Sequence, residues 1–588
     1  MEKTQRHYEQ ADFEGEKPVC DIVMKGGITS GVVYPLAVIE LAKRYRIENI
    51  GGTSAGALAA ALTAAAEYGR EKRGYLKIAE IPDEIAPDLI SLFQPVPKLK
   101  PLFALLLSLL GEGGRTAKIF RVLGAALRGY AAAGFLGALP GLLVIIGAVF
   151  DGLAGLWPFG ILLAIVGATA SILWRIYRAL TRELPENGFG MCTGLRQPGH
   201  AKPALTEWLA DRIDGVAGLT ADGAEPSRPL TFGDLVGPDP KRPRINLAVI
   251  TTNLSMRRPY RLPLREKTYL FRRSEFAQLF PERVVAHMTE NTPTFPSGEK
   301  QLKDFYYFPD DEHLEDLPVV VAARMSLSFP GLISAVPLYT RDFTLEDEAE
   351  QQVPRLCWFS DGGLSSNFPI HFFDRLWPNA PTFAIALEEY VEARHGAKRV
   401  RMPRGAREGI LLPIHQIGGL GQFLMTLLNA AKDWQDNLQS VLPGYRERVV
   451  HVALKPDEGG LNLTMPPLVI RQLTELGGQA GETAGTKFDM DEHRWRRFLI
   501  AMARLEETLD ELADAYDQAP TGCEPFKDFL DRYGQKAQSY KQKSGWFPES
   551  RRRADAAVDL AKAWRASPRI REGKIPRPDT DMRITPRE

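Results

Sequence analysis

Residues 19–56 read VCDIVMKGGITSGVVYPLAVIELAKRYRIENIGGTSAG, and they alternate short apolar runs with glycine-rich turns. The apolar run 19–24 predicts a buried strand, and residues 32–45 place apolar side chains at helical spacing. A second short strand, 47–50, leads into another glycine turn, and the alanine-rich residues 57–68 predict a buried helix. Strand, turn and helix repeated in this order predict an α/β fold with a largely buried sheet.

The same pattern resumes in the second half of the chain. Apolar runs rich in β-branched and aromatic residues predict strands at 245–251, 354–360, 382–387 and 449–454. Helical spacing of apolar residues predicts helices at 276–288, 319–328, 422–441 and 493–516. The amphipathic run within 420–441 is expected to be part of the core or a cover over the site.

Residues 98–182 interrupt this pattern with an apolar insertion. Residues 131–150 contain no charged side chain, nor do residues 152–174, so that only Asp151 separates the two segments. At about 1.5 Å per residue, each segment would form roughly 30 Å of helix, the thickness of the hydrocarbon core of a bilayer. The insertion therefore predicts a membrane hairpin over residues 131–174. A soluble helical subdomain, packed through its small residues, is the alternative interpretation.

Basic residues flank both open ends of this hairpin. Arg121 and Arg128 precede the first segment, and Arg175 and Arg178 follow the second. Because the cytoplasmic flanks of membrane helices are enriched in basic residues, both ends are expected on the cytoplasmic side. Small residues that would allow close helix packing, and with it a homo-oligomer, recur in both segments: Gly137, Gly141, Ala164 and Ala168.

The composition of the 588 residues argues against several functional classes. Hydrophobic residues make up 44% and charged residues 25%, which is ordinary for a folded chain and argues against wholesale disorder. Lys and Arg together number 73, as do Asp and Glu, so no basic excess is available to bind a nucleic-acid backbone. The 4 cysteines are far apart, which argues against a zinc cluster or a disulfide framework. The charged residues 1–18 lack the apolar segment of a cleaved signal.

Residues Gly52 to Gly56 have the form G-x-S-x-G at the predicted junction of a strand and a helix. A sharp turn there would expose the hydroxyl of Ser54, and the flanking glycines let neighbouring backbone approach closely. Free N–H groups at the start of the helix would favour a developing negative charge. Ser54 is therefore a candidate nucleophile. The alternative is a small-residue turn that only closes the strand onto the helix.

A serine nucleophile needs a base, and two arrangements are open. In a Ser-His-Asp site the base would be a late histidine, His415 or His451, although only one strand precedes the strand of the nucleophile. In a direct pair the base would be Asp361, which follows the predicted strand ending at Ser360 and is itself followed by Gly362 and Gly363. Because glycines do not crowd the turn, the carboxylate could approach the hydroxyl and accept its proton. An isolated Asp-Gly pair would otherwise predict only a hairpin turn.

The first glycine turn, residues 25–31 (KGGITSG), lies at the first strand–helix junction. Its backbone N–H groups could donate to an oxyanion and stabilise a tetrahedral intermediate. Nucleotide binding is the competing interpretation. However, the spacing matches neither G-x-G-x-x-G nor the G-K-[ST] ending of a P-loop, and no acidic ribose partner follows a second strand at the expected place.

These three motifs, in this order and each behind an apolar strand, resemble the patatin-like phospholipase family. The resemblance implies a three-layer α/β/α catalytic domain, discontinuous in sequence, over residues 18–95 and 183–460. It also implies a Ser–Asp dyad that hydrolyses lipid acyl esters through an acyl-enzyme intermediate, with no metal or other cofactor.

Carried over to this sequence, the family motifs make Ser54 the nucleophile and Asp361 the base that activates it. The oxyanion N–H groups come from Gly26, Gly27 and Ile28. The sequence departs from the family pattern at two positions, since Ile28 stands where a third glycine is usual and Ser30 stands where a Lys or Arg is usual. The resemblance implies supporting roles for the motif glycines Gly52, Gly56, Gly362 and Gly363, for Asn253, and for the segment 326–330 (SLSFP).

The motifs and the hairpin together predict a membrane-associated acyl hydrolase of the phospholipase A or lysophospholipase type, with its catalytic domain facing the cytoplasm. Its partners would be phospholipid substrate and the lipid bilayer, and not nucleic acid. The alternatives are a soluble carboxylesterase or thioesterase with a Ser-His-Asp site, and a membrane-anchored scaffold without catalysis. Residues 461–545 are expected to form a helical C-terminal extension, and residues 546–588 a basic flexible tail.

Overall fold

The computed structural model describes residues 6–580 apart from short gaps, which fall at residues 28, 111–114, 152, 221–225, 227, 240–241, 266, 291, 293–303, 406–407, 413, 415, 461, 535, 537–538 and 541. Two residues named above, Ile28 and His415, therefore lie outside the described residues.

The strands of the described residues are short and mostly buried: β1 (Val19–Met24), β2 (Arg46–Thr53), β3 (Gly190–Cys192), β4 (Asn246–Asn253), β5 (Arg258–Leu262), β6 (Leu270–Arg272), β7 (Phe305–Tyr307), β8 (Gly331–Ile333), β9 (Val336–Thr340), β10 (Arg355–Asp361), β11 (Thr382–Glu389), β12 (Val400–Arg401) and β13 (Val449–Leu454).

The α-helices are distributed along the whole chain: α1 (Tyr34–Ala42), α2 (Ala55–Tyr68), α3 (Gly74–Ile85), α4 (Lys100–Leu110), α5 (Arg115–Gly129), α6 (Ala131–Phe150), α7 (Trp157–Arg178), α8 (Leu184–Glu186), α9 (Leu205–Val216), α10 (Phe232–Val236), α11 (Arg273–Phe276), α12 (Glu282–Glu290), α13 (Val319–Ser326), α14 (Glu348–Gln351), α15 (Glu392–His395), α16 (Leu420–Ser440), α17 (Pro467–Lys487), α18 (Met490–Asp517), α19 (Phe526–Tyr533) and α20 (Trp546–Arg565).

One large mixed sheet organises the molecule. Its strands follow the order β12-β13-β11-β1-β2-β4-β10-β9-β6-β7, and β5 pairs with β4 outside this path. The strands β13, β11, β1, β2 and β4 run parallel to one another, as expected for strands connected by helices. β10 is antiparallel to both of its neighbours, β4 and β9. The parallel half of the sheet thus combines two strands from residues 19–53 with three from residues 246–454.

β4 separates the two strands that carry the predicted motifs. In the parallel pair, Thr53 of β2 lies opposite Ile250 of β4. In the antiparallel pair, Asp361 of β10 lies opposite Thr251 of β4. Because Ile250 and Thr251 are adjacent, β2 and β10 end at the same level of the sheet, one strand apart. This register brings Ser54, which follows Thr53, beside Asp361.

Helices and a short 3₁₀ segment cover the two faces of this sheet. Alternate residues of a strand point to opposite faces, and in β1 Ile22 and Met24 join the large core that includes residues of α1, α2 and α17. Val23 points the other way and packs beneath the 3₁₀ segment Ile370–Phe373, with α16 beyond it. The predicted three-layer α/β/α fold is confirmed.

The helix α17 belongs to this core, although it lies beyond the predicted boundary of the catalytic domain at residue 460. Ile470 and Leu473 are fully buried in the main core. A side chain on Gly481 would collide with the carbonyl of Ala37, so the backbones of α17 and α1 are in direct contact. The predicted boundary is therefore wrong, because α17 covers the sheet instead of extending away from it.

The helices α6 and α7 form an antiparallel hairpin that turns at Asp151, as predicted. Both are long and apolar enough to cross a membrane, and in each the most apolar stretch is only 11% buried. A side chain on Gly137 would collide with Gly167, and one on Gly141 would collide with Ala164. The small residues proposed for homo-oligomerisation therefore pack the two helices of one hairpin together, as in membrane helix pairs.

The predicted flexible tail is wrong for its first twenty residues, which form α20. Val558 and Ala561 of α20 are buried against three residues of α18, which are Leu509, Ala513 and Tyr516. This helix pair has its own small apolar cluster. A segment that buries apolar side chains at helical spacing is ordered by that packing, whatever its net charge.

Candidate active site

Ser54 occupies a sharp turn between β2 and α2. Its backbone has φ 55° and ψ −127°, a conformation that costs free energy for a residue with a side chain. A side chain on Gly52 would collide with the carbonyl of Gly56, and one on Gly56 would collide with the carbonyl of Met24. The turn therefore requires glycine at both positions, and the supporting role predicted for Gly52 and Gly56 is to let neighbouring backbone approach closely.

The side chains of Ser54 and Asp361 meet, as the sequence predicts. The Ser54 hydroxyl donates a hydrogen bond to Oδ2 of Asp361 at 2.7 Å. The other carboxylate oxygen, Oδ1, accepts a hydrogen bond from the backbone N–H of Gly363 at 2.7 Å. Both side chains are buried, Ser54 being 4% and Asp361 3% exposed. A carboxylate fixed at one oxygen and bonded to a hydroxyl at the other is arranged to accept the hydroxyl proton.

Burial sets the basicity of this carboxylate. Loss of hydration raises the pKa of Asp361 to about 6, against the opposing effect of the hydrogen bonds from Ser54 and Gly363 and of the charge of Lys432. Asp361 is therefore ionised at neutral pH, yet it is more basic than an exposed carboxylate. This combination suits a general base.

The segment after α13 holds the backbone of both residues. The N–H of Ser54 donates to Oγ of Ser326 at 3.0 Å, and the N–H of Asp361 donates to the carbonyl of Ser328 at 3.0 Å. The fully buried Arg324 donates to Oγ of Ser328 at 2.7 Å and so fixes this segment. The sequence predicted a supporting role for this segment, and these bonds show how it supports both residues.

The first glycine turn does not present the N–H of Gly26 to the site. That N–H donates to the carbonyl of Asn367 at 3.1 Å, and the Thr53 hydroxyl donates to the same carbonyl at 2.9 Å. The prediction that Gly26 supplies an oxyanion N–H is therefore wrong for this geometry. Gly26 instead leaves room for Asn367, whose Oδ1 would collide with a side chain at this position. The oxyanion role of Gly27 stays a prediction, and Ile28 lies outside the described residues.

The serine at position 30, where the family usually has a basic residue, has a local structural reason. Ser30 is 3% exposed, and its Oγ accepts a hydrogen bond from the N–H of Gly460 at 3.2 Å. A side chain on the neighbouring Gly459 would collide with Oγ of Ser30. The loop at 459–460 therefore occupies the space that a Lys or Arg would need.

The helix α16 is anchored to the loop that follows Asp361. Oδ2 of Asp436 accepts a hydrogen bond from the N–H of Asn367 at 3.0 Å. Burial raises the pKa of Asp436 to about 6. The opposite side of α16 exposes large apolar side chains, which are Leu420, Phe423, Leu424, Leu427, Trp434 and Leu438. The helix therefore lies against the site with its polar side, which agrees with the predicted cover.

An apolar cavity of about 90 Å³ lies next to Ser54. Ala55, the residue after Ser54, and Leu327, the residue after Ser326, both line it. Its deeper walls come from α1, α2, α3 and α9, and they include Val38, Leu58, Ile81 and Trp208. An apolar cavity that starts at a nucleophile can accept the hydrocarbon chain of a substrate.

Of the two histidines considered as an alternative base, His415 lies outside the described residues, and His451 does not lie beside Ser54. Nδ1 of His451 lies 3.1 Å from Oε2 of Glu388. His451 is in β13, and the strands β11 and β1 separate β13 from β2. At about 4.8 Å per strand, that spacing amounts to roughly 14 Å across the sheet. The hydroxyl of Ser54 bonds to Asp361 instead.

Comparisons with known proteins identify the family of this chain. Residues 187–374 match the family described as patatin-like phospholipase, a range that contains the Asp361 motif. A protein of Rhizobium meliloti (strain 1021) named RpoH suppressor is 36% identical over 642 aligned positions, which cover 96% of this chain and 98% of that protein. A solved structure, the heterodimeric ExoU–SpcU complex of the type III secretion system of Pseudomonas aeruginosa, aligns at a TM-score of 0.22 with 15% identity, over 93% of this chain and 67% of that chain. The likeness to that structure is too low to support an argument. The chain belongs to the patatin-like phospholipase family.

Proposed function

We propose that this protein is a membrane-anchored serine hydrolase that cleaves acyl ester bonds of phospholipids, as a phospholipase A or lysophospholipase. The observation that carries the proposal is the hydrogen bond of 2.7 Å between Ser54 and Asp361, next to an apolar cavity that Ala55 lines. The family supports lipid acyl hydrolysis in general. The dyad and the cavity support the chemistry and the substrate class.

In the first half of the reaction, Oγ of Ser54 attacks the acyl carbonyl carbon while Asp361 takes the hydroxyl proton. The tetrahedral intermediate collapses, the bond to the alcohol oxygen of the lipid breaks, and Asp361 returns the proton to that oxygen. In the second half, Asp361 removes a proton from water, which attacks the acyl-enzyme. The fatty acid leaves and Ser54 regains its proton.

The negative charge of the tetrahedral intermediate needs donors close to Ser54. We assign this role to the N–H of Gly27 and to the N-terminus of α2, which begins at Ala55. Unpaired N–H groups at the start of a helix favour negative charge. The N–H of Gly26 is excluded from this assignment because it is already bonded to Asn367.

The hairpin of α6 and α7 would anchor the enzyme in the bilayer. The exposure of these apolar helices is unfavourable in water and favourable in lipid. Lys118, Arg121 and Arg128 precede the hairpin, and Arg175 and Arg178 lie in the last turn of α7. By the positive-inside bias, this distribution supports a catalytic domain on the cytoplasmic side.

The test is product analysis with purified protein reconstituted in vesicles of mixed phospholipids. We expect the wild type to release fatty acid and lysophospholipid, and we expect Ser54→Ala to release neither. A fluorophosphonate probe should label the wild type at Ser54 and should not label Ser54→Ala. Wild-type protein that neither hydrolyses lipid esters nor reacts with the probe would contradict the proposal.

A further inference from the structure

We propose that a groove between α4, α5 and the C-terminal half of α7 holds one acyl chain of a membrane phospholipid before that lipid reaches Ser54. This inference rests on the proposed function, because it describes how the substrate enters the site. It assigns a lipid-binding role to the helices that connect the hairpin to the catalytic domain.

The groove is large and apolar on all sides. Its volume is about 590 Å³, which is within the usual range of roughly 300–1,000 Å³ for ligand sites. Its three walls come from α4, α5 and α7, and the lining side chains include Leu102, Leu106, Leu123, Ala126, Ile172 and Ile176. Unless an apolar ligand occupies a space of this size between helices, water fills it. Apolar walls offer that water few hydrogen-bond partners.

The groove lies where a bilayer would meet the catalytic domain. Residues 169–176 of α7 line it, and they belong to the end of α7 that is distant from the hairpin turn at Asp151. The last turn of α7 carries Arg175 and Arg178. If the hairpin spans the membrane, the groove therefore opens at the level where acyl chains begin beneath the head groups.

Two segments connect the groove to the apolar cavity beside Ser54. In the first, Leu89, Leu92 and Phe93 line the cavity, and the α4 residues that follow line the groove. In the second, Leu327 lines the cavity, and Gly331, four residues later, lines the groove. Because four residues of extended chain span at most about 14 Å, the two spaces lie near each other at the segment from Leu327 to Gly331.

The charge of α5 indicates the kind of lipid that would occupy the groove. The helix contains Lys118, Arg121 and Arg128 and no acidic residue. Its other side contributes Val122, Leu123 and Ala126 to the groove. A helix with a basic side and an apolar side complements the boundary between phosphate head groups and acyl chains. We therefore assign the groove to an anionic phospholipid.

Photocrosslinking tests occupancy without requiring catalysis. The Ser54→Ala protein is reconstituted in vesicles of phosphatidylcholine and phosphatidylglycerol, with a phosphatidylglycerol that carries a diazirine in its acyl chain. We expect crosslinks in α4, in α5 and at residues 169–176, and we expect unlabelled phosphatidylglycerol to reduce them more than phosphatidylcholine does. Crosslinks confined to the outer surfaces of α6 and α7, with none in the groove, would overturn the proposal.

Filling the groove tests its role in substrate entry. Ala126→Trp and, independently, Leu106→Trp place bulk between the walls, and Leu143→Trp is the matched control because Leu143 is 66% exposed on α6. We expect the ratio of vesicle hydrolysis to hydrolysis of the water-soluble p-nitrophenyl butyrate to fall about tenfold in the two groove variants, since the apolar path for the chain is blocked. The control should keep the wild-type ratio.

The outcomes separate this proposal from the proposed function. An unchanged ratio in both groove variants would contradict substrate entry through the groove while leaving ester hydrolysis intact. If crosslinks form in the groove but the wild-type protein hydrolyses no ester, the proposed enzymatic function is contradicted and the lipid site is not.

Discussion

The backbone N–H of Asn367 donates to the buried carboxylate of Asp436, at 3.0 Å. The carbonyl of the same asparagine accepts hydrogen bonds from Gly26 and Thr53. Asn367 therefore links α16 to the first glycine turn and to the strand that ends at the nucleophile. The geometry of the site depends on a helix that begins more than 360 positions later in the chain than Ser54.

Replacing Asp436 by alanine should lower the turnover number more than it changes the Michaelis constant. The substitution leaves the N–H of Asn367 buried without its acceptor, which typically costs about 1–3 kcal/mol and would loosen the link to Gly26. Asp436→Asn keeps an acceptor oxygen and should retain most of the activity. Kinetics on a soluble ester check this prediction, and equal losses in the two variants would argue against the anchoring role.

The pH dependence of hydrolysis should follow one buried carboxylate. Asp361 must be ionised to accept the proton of Ser54, and burial raises its pKa to about 6. We expect kcat/KM to fall below about pH 6 and to be level above it. Burial also raises the pKa of Asp436 to about 6. The profile of Asp436→Asn therefore shows which part of the pH dependence belongs to Asp361. His451→Gln should keep the same profile, and loss of turnover in that folded variant would favour a histidine base.

Asp361→Asn should be more stable than the wild type at alkaline pH while losing activity. The folded-state pKa of Asp361 lies above its ordinary value of 3.8, so ionisation disfavours the folded state as pH rises through about 6. This difference in pKa corresponds to at most roughly 3 kcal/mol in the free energy of unfolding. The gain in the free energy of unfolding should therefore be largest at pH 8 and disappear near pH 4. Denaturant titrations at both pH values measure it, and a gain independent of pH would point to another cause.

Ser54→Gly should be more stable than Ser54→Ala. The residue has φ 55° and ψ −127°, which glycine adopts without strain and alanine does not. Backbone strain of this kind costs of the order of 1–3 kcal/mol. Neither variant can act as a nucleophile, so the comparison isolates the backbone. If thermal denaturation gave the same midpoint for both, the turn at Ser54 would not be strained.

The sequence was sufficient to predict the pairing of Ser54 with Asp361, because each follows a buried apolar strand and adjoins glycines. β2 and β10 flank β4 and run in opposite directions, and their registers with β4 bring the ends of both strands to the adjacent residues Ile250 and Thr251. The partner of Gly26 could not be predicted, since the position of the Asn367 carbonyl depends on the fold of a distant loop. A glycine turn indicates close backbone approach but does not reveal what approaches.

Two errors in the helices have identifiable causes. The predicted helix 276–288 is divided into α11 and α12, because Pro281 cannot continue a helix, and this signal was visible in the sequence. The helix α20 was missed because its buried side is mostly alanine, with Val558 as its one fully buried larger apolar residue among the described ones. Its burial depends on contact with α18, which a local pattern does not contain.

The central claim is that Asp361 activates Ser54 directly, and the measurement that tests it most directly is the rate of phospholipid hydrolysis by Asp361→Asn. The protein would be assayed in vesicles at pH 8, beside the wild type and Ser54→Ala, with correct folding shown by thermal denaturation. The account predicts that Asp361→Asn loses at least about a hundredfold in rate, as expected for removal of a general base. Folded Asp361→Asn protein that hydrolyses phospholipid at the wild-type rate would contradict it.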